Sequence, residues 1–159
     1  MPPRMTTPPP AVPDTPLSGL GPIDHIGIAV ADLAEAKRLY GEVFGLPLVF
    51  EEEVKTERVQ VAAYDGGGPR IELLCSTDPD GPIGRFVEKR GPGIHHVCYR
   101  VADVAATLKR LRDEGVRTID ETPRPGAGGC QVAFLHPKGA GGVLVELSQP
   151  PEGGSAHGA

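Results

Sequence analysis

Apolar and polar positions alternate along residues 22–30, which puts His25, Gly27 and Ala29 on one face of a strand and Ile26, Ile28 and Val30 on the other. The period then changes. Leu33, Ala36, Tyr40, Val43 and Phe44 recur at helical spacing, with Asp32 as N-cap and Glu35 three residues on, an Asp-x-x-Glu version of a capping box. Gly45 is placed to end that helix. Strands follow at about 47–54 and 58–64, and the turn Asp65-Gly66-Gly67-Gly68-Pro69 leads into another over 70–75. A short helix around 83–89 comes next. The same order then returns: a strand over 96–101, and a helix capped by Asp103 that carries Val104, Leu108 and Leu111 and ends at Gly115. A short strand near 116–119, a loop over 123–129 and strands over 131–135 and 142–148 complete it.

The order repeats because the sequence does. Ile23-Asp24-His25-Ile26-Gly27-Ile28-Ala29-Val30-Ala31-Asp32 returns as Ile94-His95-His96-Val97-Cys98-Tyr99-Arg100-Val101-Ala102-Asp103, which sets His25 on His96 at an offset of 71. Arg70-Ile71-Glu72-Leu73 returns as Leu144-Val145-Glu146-Leu147 at an offset of 74. Each half reads β-α-β-β-β. The expected fold is therefore α+β, with two tandem βαβββ modules packed side by side, helices on the outer face and the inner faces of the curved sheets forming a cup. Strict alternation puts His96 inside with His25 and turns His95 to the opposite face.

Composition bounds the rest. The 159 residues suffice for one domain, expected over 22–149 with modules at about 22–80 and 92–149. The Pro-rich residues 1–21 read as a disordered arm without the apolar run of a signal peptide, and 150–159 as a flexible tail. No run approaches the roughly 18 apolar residues of a membrane span. Net charge of −5 with interspersed signs argues against a nucleic-acid partner. Cys75, Cys98 and Cys130 form no CxxC pair, and three reduced thiols in a cytoplasmic protein are the expectation.

His25, His96, Glu72 and Glu146 are the residues that matter chemically. Glu72 stands in the apolar stretch Ile71-Glu72-Leu73-Leu74, where an unpaired buried carboxylate would cost several kcal/mol and so wants a partner. Two imidazoles and two carboxylates meeting inside a cup make a divalent-metal site. Its mixed N/O donors suit Co²⁺, Mn²⁺, Ni²⁺, Fe²⁺ or Zn²⁺, and six-coordination would leave two positions for a chelating substrate.

Six stretches resemble the methylmalonyl-CoA epimerase family. They are residues 23–30, residues 71–74, Glu88-Lys89-Arg90-Gly91, residues 93–97, Phe134-Leu135-His136-Pro137-Lys138 and Gly142-Val143-Leu144-Val145-Glu146-Leu147. The family belongs to the vicinal oxygen chelate superfamily, with glyoxalase I and the extradiol dioxygenases, and the resemblance covers almost all of 22–149. It implies a divalent ion, commonly cobalt, on the residues matching His25, Glu72, His96 and Glu146. It also implies interconversion of (R)- and (S)-methylmalonyl-CoA by α-proton abstraction and reprotonation through a metal-stabilised enolate. An acyl-CoA would be the substrate and a homodimer the common assembly. Glu146 matches a carboxylate that serves as both ligand and acid/base.

Inversion needs a proton carrier on each face. Some family members carry a second Glu on the third strand of the first half, and here Val61, or Gln60 after a one-residue slip, falls near that position. Glu57, a metal-bound water or another group stay open for the role. Arg124 and Lys138, on loops flanking the last strands, are candidates for CoA phosphates. Two rivals remain: another enzyme on the scaffold, a glyoxalase I-like isomerase or a dioxygenase, and a metal-free ligand-binding protein of the resistance type. The fourth donor Glu72 counts against a dioxygenase, which needs two His and one carboxylate.

Overall fold

Asp32 and Asp103 play the same part in the two halves. In a computed structural model that describes residues 20–152, each has extended backbone and accepts a bond from the amide three residues on, Glu35 at 3.1 Å and Ala106 at 3.0 Å. Each therefore turns a strand into a helix. β1 (Ile23–Ala29) leads to α1 (Leu33–Lys37), which runs on through a π-helical segment, Arg38–Val43. β2 (Leu48–Val54), β3 (Val59–Asp65) and β4 (Arg70–Ser76) complete the first half. After α2 (Pro82–Arg90) come β5 (Gly93–Arg100), α3 (Val104–Asp113), β6 (Arg124–Pro125), β7 (Gln131–Leu135) and β8 (Val145–Gln149). Most of the expected arm and of the expected tail lies outside the described residues.

All eight strands form one sheet in the order β2-β3-β4-β1-β5-β8-β7-β6. The order is a mirror about the antiparallel β1–β5 pair, and in each half the first strand lies parallel to the last, β1 beside β4 and β5 beside β8. The registers repeat as well. Glu72 pairs with Gly27, two residues beyond His25, and Glu146 pairs with Cys98, two residues beyond His96.

Alternation then separates the faces. On the outer face Ala62, Tyr64 and Leu73 pack beneath Leu33, Ala36 and Tyr40, while Val104 and Leu108 of α3 pack on Ala133, Leu135, Val145 and Leu147. On the inner face of the first half, Ala29, Val59, Val61 and Leu74 pack against Ile83, so α2 fills part of the cup as well as joining the halves.

Two expectations change. The strand near 116–119 is a single bridge, Thr118 to Leu135, and the outer strand of the second half instead falls in the expected loop, at Arg124–Pro125. A two-residue edge strand containing a proline leaves no alternation to read.

Candidate metal centre

His25 and His96 lie on the neighbouring strands β1 and β5, and their Nε2 atoms stand 3.1 Å apart. Glu146, from β8, brings Oε2 to 2.9 Å from Nε2 of His96 and 3.4 Å from Nε2 of His25. All three residues are buried. Donor atoms about 2.1 Å from one cation and at right angles to each other would be about 3 Å apart, so this triangle has edges of the right length. Two imidazole nitrogens and one carboxylate oxygen fit a borderline divalent ion.

Glu72 reaches the same buried cluster from the other side of His25. Its Oε2 lies 3.1 Å from Nδ1 of His25 and 3.2 Å from Nη2 of Arg70. The structure thus brings three of the four expected donors together, through Nε2 of the two histidines and Oε2 of Glu146, and sets Glu72 against the opposite ring nitrogen of His25.

His95 is a correction. Strict alternation sends it to the outer face, yet it lines the cup, with Nδ1 2.9 Å from Nδ1 of His96 and its ring edge-on to Phe86 of α2. The β1–β5 register passes from Gly27↔His96 to Ile28↔Ile94, so His95 is the extra residue of a β-bulge, and alternation fails there. Asp24 is missed for the same reason. It is unopposed between Ile23↔Tyr99 and His25↔Cys98, and its buried carboxylate accepts from Arg70 and Arg100 at 2.9 and 2.7 Å. The sequence signal for both is plain adjacency to a histidine.

The charges are strongly coupled. Burial pushes the His25 imidazole down, but the Glu72 charge and bonds to Asp24, Cys98 and Glu146 outweigh it and hold its pKa well above the usual histidine value. Burial pushes Glu146 up, and the charge and hydrogen bonds of the two histidines hold it well below the usual carboxylate range. Asp24 is likewise pushed up by burial and held low by His25, Arg100 and Arg70. His95 is moved down to about 4, chiefly by burial and then by His96. Cys75, Cys98 and Cys130 are free thiols, and burial pushes Cys98 up to about 12.

Further out, Val61 faces the cup while Gln60 is exposed on the other side of β3. Glu57 lines the cup and pairs with Nη1 of Arg124 at 3.2 Å, and Arg124 lies over the Phe134 ring at 5.0 Å. Lys138 lies outside the cup lining, in the 3₁₀ turn Pro137–Gly139.

The fold and this cluster define the class of protein. Residues 24–134 match the Glyoxalase/Bleomycin resistance protein/Dioxygenase superfamily, and the chain belongs to it. A mitochondrial methylmalonyl-CoA epimerase of Dictyostelium discoideum is 41% identical over 133 residues, 82% of this chain and 80% of that protein. The crystal structure of methylmalonyl-CoA epimerase from Mycobacterium tuberculosis superposes with a TM-score of 0.81 at 40% identity, covering 87% of this chain and 94% of that one. A Streptomyces coelicolor methylmalonyl-CoA epimerase variant in complex with 2-nitronate-propionyl-CoA gives 0.77 at 37% identity, covering 82% of this chain and 95% of that one. Within the superfamily, the chain is a member of the methylmalonyl-CoA epimerase family.

Proposed function

We propose that this chain is a metal-dependent epimerase that interconverts (R)- and (S)-methylmalonyl-CoA, an acyl-CoA ester. The observation that carries the reading is the donor triangle of His25, His96 and Glu146, buried in the cup of a chain that shares 41% identity with a methylmalonyl-CoA epimerase. Glu72 is assigned as the fourth donor, a role for which its carboxylate would leave Nδ1 of His25 and turn toward the triangle. A divalent cation, Co²⁺ in this reading, supplies positive charge where negative charge develops on the substrate. The chain's own residues do the rest. The carbon between a thioester and a carboxylate gives up its proton to a base on one face, and return of a proton to the other face inverts the centre.

Glu146 is the acceptor on one face. Both of its histidine contacts run through Oε2, so the carboxylate has a second oxygen for a proton. Glu57 is assigned to the other face. Among the described carboxylates that line the cup, Asp24 and Glu72 are tied to Arg70, whereas Glu57 stands apart from that cluster and pairs with Arg124.

Val43, Phe44 and Leu48 are each more than half exposed and supply apolar surface for a homodimer. No described helix is long and apolar enough to cross a membrane, and the cytoplasm is the assigned location. Incubating one epimer of methylmalonyl-CoA with Co²⁺-loaded protein tests the activity. A near-equal mixture of both epimers is expected, and an unchanged epimer under full loading contradicts the assignment.

A further inference from the structure

β1 and β5 each break their alternation at the residue before the histidine, and the breaks have one chemical consequence. Asp24 and His95 are the unopposed residues of the β1–β5 ladder. Asp24 Oδ2 lies 2.7 Å from Nδ1 of His25, and His95 Nδ1 lies 2.9 Å from Nδ1 of His96. In each module, then, the preceding residue holds the ring nitrogen that does not face the donor triangle, and at His25 it is nearer than the other group on that nitrogen, Glu72 Oε2 at 3.1 Å. A neutral imidazole has one N–H, and when Nδ1 donates it, the lone pair is on Nε2.

Both holding groups are themselves fixed. Asp24 Oδ1 accepts from Nη2 and Nε of Arg100 at 2.7 and 3.2 Å, and Oδ2 accepts from Nη2 of Arg70 at 2.9 Å. The His95 ring stands edge-on to Phe86 with centroids 5.0 Å apart. Partners that orient a ligand's far nitrogen set both its tautomer and its direction.

We propose that Asp24 and His95 are positioning residues, one per module, which fix His25 and His96 as Nε2 donors to the divalent cation. The inference rests on the metal reading above. The competing roles are structural: Asp24 ties down two arginines and His95 packs on Phe86, and these would change stability alone.

Co²⁺ titration followed by visible absorption separates these. Asp24→Asn and His95→Phe are each expected to weaken Co²⁺ binding about 10- to 100-fold. The phenylalanine keeps the ring contact with Phe86, so it carries the test if Asp24→Asn fails to fold. Proton NMR of the Co²⁺-loaded wild type should show two exchangeable, paramagnetically shifted Nδ1–H signals. One should broaden through faster exchange in Asp24→Asn and the other in His95→Phe. A lowered melting temperature with Co²⁺ affinity within about twofold of wild type would overturn the proposal. A wild-type protein that binds no Co²⁺ would overturn the metal reading instead.

Discussion

Gly27 stands across from the His96 ring with no room for a side chain: a Cβ built on it would lie 2.6 Å from Nδ1 of His96 and closer still to Cε1. The absent side chain is what lets the two first strands pair closely enough for both histidines to face one point. Gly27→Ala is expected to displace the ring, weakening Co²⁺ binding by at least about tenfold. The overpacking is expected to cost about 1–3 kcal/mol in denaturant unfolding. Unchanged affinity on titration would show that the ring has freedom the packing does not suggest.

Glu146 and Glu72 are related by the repeat but differ in what they touch. Glu146 sits on Nε2 of both histidines, Glu72 on Nδ1 of His25 and on Arg70. Glu146→Gln is therefore expected to abolish detectable Co²⁺ binding and turnover together, and Glu72→Gln to weaken binding by a smaller factor. Calorimetric titration of the two variants checks the order, and a reversed order would make Glu72 the principal carboxylate donor.

A proton carrier on each face gives the two epimers different needs. With Glu57→Gln, the α-proton of one epimer should still exchange with solvent deuterium while that of the other does not, and net epimerisation should stop. Exchange of both at the wild-type rate would remove Glu57 from the reaction.

Stability should depend on pH through His25. Its folded pKa is raised above the unfolded value of about 6.5, so its contribution is fully present below that pH and is lost as pH rises toward the folded value. The metal-free protein should accordingly lose melting temperature as pH rises above about 6.5. Since a bound cation needs the neutral ring, the stabilisation added by Co²⁺ should grow over the same interval. His25→Gln should flatten both trends, and thermal melts with and without Co²⁺ measure them.

Most of the frame was legible in the chain because it is written twice. The shared Val-Ala-Asp sets both helix caps, and the register that puts Glu72 and Glu146 two positions beyond their histidines follows the repeat. What alternation could not show is where it stops. The bulges at Asp24 and His95 add a residue to a regular strand, and nothing in a period-two pattern marks them. β6 escaped for the opposite reason, since two residues hold no period. The proton carrier left open in the sequence narrows once Val61 and Gln60 are placed, one apolar in the cup and the other exposed outside it.

If the buried His25–His96–Glu146 triangle serves α-proton chemistry on methylmalonyl-CoA, the substrate itself reports it. NMR of the substrate α-proton in D₂O should show rapid loss of that signal with Co²⁺-loaded protein, no loss after chelation, and none with His96→Ala. A signal that persists under full Co²⁺ loading of the wild type would contradict the assignment.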